Sequence, residues 1–288
     1  MTSAVTLTDP ERRHFLRYTD TAQWPMLRRF PVSAEMHAEL LAQMLASTPA
    51  TIHALLGSLR EETRTAATRL LTDEPYRQAL AGLPFAPGQR VIAVGDSITA
   101  DRLGWFELLA ESLALTGVDT AGVVNLGISG NTTADVLERF DLLEAAAPDR
   151  VLLMLGTNDA RAHGRAERHR MATTRETGRN LRALADLITQ DLKAHLTVIT
   201  PPPVDQTRVD AFFADAPLQW YAADVAEVAG IVRETVPGAV DLHASMPADD
   251  STGLFETDGV HPTPAGQRFI LGRVVDHLRA VSPSRDRW

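Results

Sequence analysis

The chain contains no cysteine. That excludes a thiol nucleophile, a thiolate zinc site, an iron–sulfur cluster and a disulfide in one step. Lysine is nearly as scarce: Lys193 is the only one, and arginine carries the other positive charges. A phosphate-binding loop needs Gly-Lys, but Lys193 follows Leu192, so that motif is missing. A Ser–Lys dyad or a lysine Schiff base would have to use Lys193, which sits in a polar patch before an apolar run. No stretch approaches the roughly 18 apolar residues of a membrane span. Met1 to Arg13 lacks a basic start followed by an apolar run, so no secretory leader is expected and a cytoplasmic location is.

What is present is ordinary for a globular protein. The 288 residues allow one large domain, or a domain with an extension, and 44% apolar content is enough for a sizeable core. The net charge is −9. Residues 1–88 hold as many arginines as acidic residues, so the acidity lies in the remainder. An acidic body argues against nucleic acid as a partner and, more mildly, against an anionic membrane surface.

Two regions follow from the patterning. Residues 1–88 read as a helical segment. Ser33 caps a helix carrying Met36, Leu40, Leu41, Met44 and Leu45, and Thr48-Pro49 opens a long one with Ile52, Leu55, Leu59, Ala66 and Leu70 on one stripe. A shorter helix follows Asp73-Glu74-Pro75, and Leu83 to Gly88 reads as a linker. No catalytic cluster is visible here; assembly into a homo-oligomer or a lid over a pocket are the expected roles. Residues 89–288 form the second region. Apolar runs at 90–95, 121–127, 150–156, 195–200 and 238–242 predict five parallel strands, buried on both faces. Helical segments separate them, and a last helix starts at Thr263-Pro264, which implies an α/β fold with an open, doubly wound sheet.

In such sheets ligands bind beyond the carboxyl ends of the strands. The unusual residues cluster there: Gly95-Asp96-Ser97-Ile98, Asn125-Leu126-Gly127, Gly156-Thr157-Asn158-Asp159, and Asp258-Gly259-Val260-His261-Pro262 before the last helix. These are the parts that acyl transfer requires. A serine hydroxyl needs an adjacent base, which His261 can supply to Ser97. A carboxylate must hold the imidazole, and Asp258 is three residues away. The oxyanion needs aimed donors: Ser97 N–H, Gly127 N–H and the Asn158 amide are candidates. Each block alone also reads as a turn or a helix cap. Together, in this order, they are specific.

The set resembles the SGNH hydrolases, the GDSL-type esterase and lipase family, whose four blocks centre on Ser, Gly, Asn and His. The matching residues here are Ser97, Gly127, Asn158 and His261, over about residues 90–280. The resemblance implies a three-layer, flavodoxin-like fold, a triad of Ser97, Asp258 and His261, and an esterase without metal or other cofactor. Ile98 stands where the family has leucine, and the helical segment before the serine block lies outside the usual core. With few aromatic residues, a short acyl group on a sugar or small alcohol is the expected substrate. An acyltransferase, lysophospholipase or thioesterase would use the same triad, and a non-catalytic interaction protein on this scaffold is the reading from another class.

Several other residues invite a chemical reading. Ser129 is a rival nucleophile that reads as a loop hydroxyl. Asp96, Asp258 and His261 also suit a metal, but serine-based transfer explains them together with Ser97 and Asn158. His163 and His169 lie in a charged run, Arg161 to Arg170, that reads as a solvated face. The prolines at 201–203 suggest a rigid wall, and Phe212, Phe213, Trp220 and Tyr221 suit either a substrate wall or core packing.

Overall fold

The computed structural model describes residues 7–166, 168–249 and 253–281. Met1 to Thr6, Glu167 of the charged run and residues 282–288 lie outside the described residues, as do residues 250–252. The first helices are α1 (Asp9–Tyr18), a single turn α2 (Pro25–Arg28), α3 (Ala34–Met44), α4 (Pro49–Leu70) and α5 (Glu74–Ala81). α1 has no apolar stripe to announce it; a capping box starts it, with Thr8 Oγ1 accepting from Glu11 N–H and the Glu11 carboxylate accepting from Thr8 N–H. Ser33 and Thr48 cap α3 and α4 as their sequences predict. Leu16, Leu41, Leu45, Ile52 and Leu59 form one apolar cluster, which also takes in Leu103 from the following region. Met36 and Met44, expected on the inner face of α3, are exposed. Ala38, Leu41, Ala42 and Leu45 line the buried face instead, and the two alanines allow close approach to the neighbouring helix.

The remainder alternates strand and helix: β1 (Val91–Gly95), α6 (Ser97–Ala100), α7 (Trp105–Leu115), β2 (Val123–Asn125), α8 (Thr133–Glu138), α9 (Phe140–Ala145) and β3 (Arg150–Met154). After these come β4 (Ala162–His163), α10 (Thr174–Asp186), β5 (His195–Ile199), α11 (Gln206–Phe212), β6 (Leu218–Gln219), α12 (Ala222–Thr235), α13 (Leu242–Ser245) and α14 (Pro264–Ala280). The main sheet has the order β2-β1-β3-β5 and is parallel throughout. Successive residues alternate between its faces. Val91, Ala93, Leu152 and Met154 meet α5, α7 and α14, whereas Ile92, Val94, Val151 and Leu153 meet α8, α9, α10 and α12. This is a three-layer α/β arrangement.

The expected fifth strand is the main departure. Of residues 238–242, Val240 alone pairs with the sheet, through a single parallel bridge to Ile199. Gly238 turns the chain with φ +86° just before it, and Asp241 caps α13 just after, by accepting from Ala244 N–H. The chain is extended for too short a stretch to build a ladder. The β2-β1-β3 order places the first strand between two neighbours reached by diverging connections. That reversal opens a crevice at the carboxyl ends of β1 and β3.

Candidate active site

β1 ends at Gly95, and Asp96 Oδ1 accepts from Ile98 N–H at 3.0 Å, which starts α6 at Ser97. From the other end of the sequence, the turn before α14 brings His261 to it: Nε2 lies 2.9 Å from Ser97 Oγ. His261 Nδ1 lies 2.6 Å from Asp258 Oδ2. An ionised carboxylate only accepts, so Nδ1 carries the proton and Nε2 is left to accept from the serine hydroxyl. The other oxygen, Asp258 Oδ1, accepts from the backbone N–H groups of Val260 and His261, both at 2.9 Å, and this fixes the turn. Gly259 makes the turn possible. It has φ +72°, and a Cβ there would lie 2.5 Å from Asp205 O.

Electrostatics agree with the geometry. Burial works to lower the His261 pKa, but the Asp258 hydrogen bond and charge more than offset it and hold the imidazole above its ordinary value. Burial works to raise the Asp258 pKa, and the His261 contacts prevail and lower it. At Asp96 burial outweighs the Ile98 N–H hydrogen bond and the attraction of His261, and pushes the carboxyl up to about 6.

The three expected oxyanion donors are not equivalent. Ser97 N–H belongs to the first turn of α6, where no intrahelical carbonyl can reach it. Asn158 is buried beyond β3, and its Nδ2 donates to Asn131 O at 3.2 Å, leaving the second amide hydrogen. Gly127 N–H is already donated to Asn125 Oδ1 at 2.8 Å. Asn125 is itself held, its Nδ2 donating to Thr99 O and to Glu107. A Cβ at Gly127 would lie 2.6 Å from Ala100 N, so glycine is needed there for its backbone to lie against α6.

Residues 93–269 match the sequence model of the GDSL-like Lipase/Acylhydrolase family. The chain belongs to this family. A curated arylesterase from Vibrio mimicus is 38% identical over 77 residues, which cover 25% of this chain and 38% of that protein's length. Among solved structures, the lipase/acylhydrolase from Enterococcus faecalis superposes with TM-score 0.52 at 24% identity, covering 69% of this chain and all (100%) of that one. The acetyl xylan esterase AlAXEase superposes with TM-score 0.52 at 22% identity, over 66% of this chain and 98% of its own. These superpositions carry the shared fold. The GDSL-like family is one of ester-hydrolysing enzymes, and the matched range includes all of Ser97, Gly127, Asn158, Asp258 and His261.

Around these family residues the loops are tied to one another. Asp159 accepts from Thr133 N–H and Oγ1, which anchors the asparagine loop to the start of α8. Arg139 donates to Asn131 Oδ1 and Leu126 O and so holds the glycine loop. Trp220 is core, not an open wall: it is buried with Val204, Val209 and Val260, and its Nε1 donates to Thr157 O at 2.8 Å. Phe213 packs against it at a tilt, and Phe212 is exposed. The charged run is engaged elsewhere. His163 Nδ1 accepts from Arg165 and Ala166 N–H, Arg168 lies over Tyr221, and Arg170 pairs with Glu227 of α12.

The sequence shows no chemical cluster before residue 88, yet α1 comes up against the site. Arg17 and Tyr18, at the end of α1, reach the site. Arg17 binds Asp101 and Glu256, and the Tyr18 ring lies against His261. No spacing marks them, because their partners are more than 80 positions away.

Proposed function

We propose that this protein is a serine esterase that hydrolyses a short acyl ester, acetyl-like, of a sugar or small alcohol through an acyl-Ser97 intermediate. The observation that carries the proposal is the continuous hydrogen-bonded line from Ser97 Oγ through His261 to Asp258. In the first step Ser97 Oγ attacks the ester carbonyl as its proton passes to His261 Nε2. The negative charge on the tetrahedral carbonyl oxygen is met by Ser97 N–H and the free Asn158 amide hydrogen, with Gly127 N–H available if it turns from Asn125. Collapse expels the alkoxide, which takes the proton from His261 and leaves as the alcohol. Water then attacks the acyl-enzyme, with His261 as base again, and the acid departs. Asp258 remains ionised and stabilises the imidazolium in both halves.

The small-substrate part is supported by burial: Ser97 is 7% exposed and Asn158 5%, so little of either residue is open to a large acyl chain. Trp220, tied to Thr157 O beside Asn158, is committed to the core. The test is hydrolysis of aryl acetate and longer aryl esters, without added metal, by wild type and Ser97→Ala. Activity on acetate that is lost in the variant is the expected result. Activity surviving in Ser97→Ala would overturn the nucleophile, and faster turnover of long chains than of acetate would overturn the acyl preference.

A further inference from the structure

We infer that Arg17 and Tyr18 of α1 are positioning residues for the His261 base, which makes the helices preceding the sheet a working part of the catalytic centre. The inference rests on the esterase reading above. Its first ground is a buried ionic tie. Arg17 Nε and Nη2 donate to the two carboxylate oxygens of Asp101, each at 2.7 Å, and Nη1 donates to Glu256 Oε1 at 2.7 Å. Nη2 also reaches Pro262 O at 3.3 Å. The Arg17 side chain is 8% exposed and that of Asp101 0%.

These acceptors belong to the two segments that must stay in register. Asp101 follows α6 directly, and its N–H donates to Ser97 O. Glu256 and Pro262 bracket Asp258 and His261, and Glu256 N–H donates to His261 O at 2.8 Å. One guanidinium therefore joins the nucleophile's helix to the acid–base turn, across the gap whose 2.9 Å hydrogen bond activates Ser97. A planar fork with five donors can hold such a set, whereas a lysine ammonium cannot hold it bidentately. Gln267 of α14 backs the same carboxylate, donating to Asp101 Oδ2 at 3.0 Å.

The second ground is the aromatic contact. The Tyr18 ring centroid lies 4.8 Å from that of His261, with the planes 47° apart. Arg17 packs on this ring in turn, its guanidinium carbon 4.9 Å from the centroid. Tyr18 is buried, and its hydroxyl has no hydrogen-bond partner among the described residues, so the ring and not the phenol makes the useful contact. Held against the imidazole, the ring blocks its rotation away from Ser97 and keeps water from that side. Its π electrons favour the imidazolium that forms as Ser97 loses its proton, an interaction stronger in the transition state than in the resting enzyme. The charged groups acting on the imidazole are Asp258 in its own turn and Asp96 and Asp101 on either side of α6, while Arg17 and Glu256, paired with each other, act on the Tyr18 ring.

The experiment uses the full chain as wild type, Tyr18→Leu, Tyr18→Phe and Arg17→Lys. It reads the rate of Ser97 labelling by a fluorophosphonate against pH, kcat and KM on aryl acetate, and thermal unfolding. Tyr18→Leu keeps apolar volume but removes the ring. It is expected to unfold cooperatively, to label and turn over slower by on the order of tenfold or more with KM little changed, and to shift the acid limb of the pH profile. Tyr18→Phe, which keeps the ring, is expected to recover most of that loss. Arg17→Lys, which keeps the charge but not the fork, is expected to lower kcat similarly. If Tyr18→Leu does not fold, Arg17→Lys decides alone. Folded variants with wild-type labelling rate, kcat and pH profile would overturn the inference and leave α1 as a cover. A wild type that the fluorophosphonate does not label would overturn the Ser97 reading itself, and this inference with it.

Discussion

The sheet region and the helices before it are built on different principles. Around β1 and β3, every strand residue is buried and alternate residues feed two separate apolar layers. The helices α1, α3 and α4 share a smaller cluster, around Leu16, Leu41 and Leu59, that takes in Leu103; α4 also packs along α7, with Ala66 and Leu70 against the sheet-region core, and α1 adds the charged Arg17 tie. The first kind of contact is non-directional and tolerant of detail. The second requires every donor and acceptor in place, because a buried charge that loses its partner is expensive. Ser97, Asp258 and His261 come from the tolerant region, and the exacting contacts that surround them come partly from the other.

Substitutions on the two sides should separate these contributions. The largest effect is on chemistry: Ser97→Ala should lower kcat/KM by on the order of 10⁴- to 10⁶-fold while thermal unfolding stays near wild type. A large fall in Tm would indicate that Ser97 is structural. Next, Arg17→Met should destabilise by about 3–5 kcal/mol, since Asp101 is left charged, buried and without its cation. Denaturant unfolding measures this, and a loss below about 1 kcal/mol, the range of exposed pairs, would show the tie to be ordinary surface pairing. Leu59→Ala, in the helical cluster, should cost about 2–5 kcal/mol from its cavity. If activity falls in step with the folded fraction only, the apolar cluster supports the site through stability alone, in contrast to Arg17.

pH brings the two regions into one measurement. His261 must be neutral to accept the Ser97 proton, and its pKa is held above the ordinary value near 6.5. Turnover should therefore fall as pH drops through this raised value and the imidazole gains its second proton. The same raised pKa contributes stability that is complete below the unfolded value and is lost as pH rises through the folded one. Activity and this part of stability thus change in opposite directions over one window. In Asp258→Asn the carboxylate that raises the pKa is gone and burial prevails, so the residual activity should have its midpoint at lower pH. A midpoint that does not move would remove Asp258 from the pair. The smallest effect is expected from Arg29→Ala, whose partner Asp141 is exposed like itself: activity and Tm should both remain near wild type.

Much of this protein was legible in its sequence because the signals are local. Buried parallel strands read as short apolar runs, helix starts read from caps at Ser33, Thr48 and Thr263, and four short blocks held the candidate site residues. Their order after successive strands was enough to bring Ser97, Gly127, Asn158 and His261 to one sheet edge. Only the tertiary structure decided the rest. Val240 reduces the fifth strand to a bridge because a glycine turn and a helix cap close in on it from both sides. Gly127 N–H is taken by Asn125, a choice that depends on where Thr99 and Glu107 hold that side chain. Arg17 and Tyr18 carry no pattern at all in the sequence. Periodicity and capping record what a residue does within its own few turns, whereas these two act on Asp101, Glu256 and His261, partners that folding alone brings within reach.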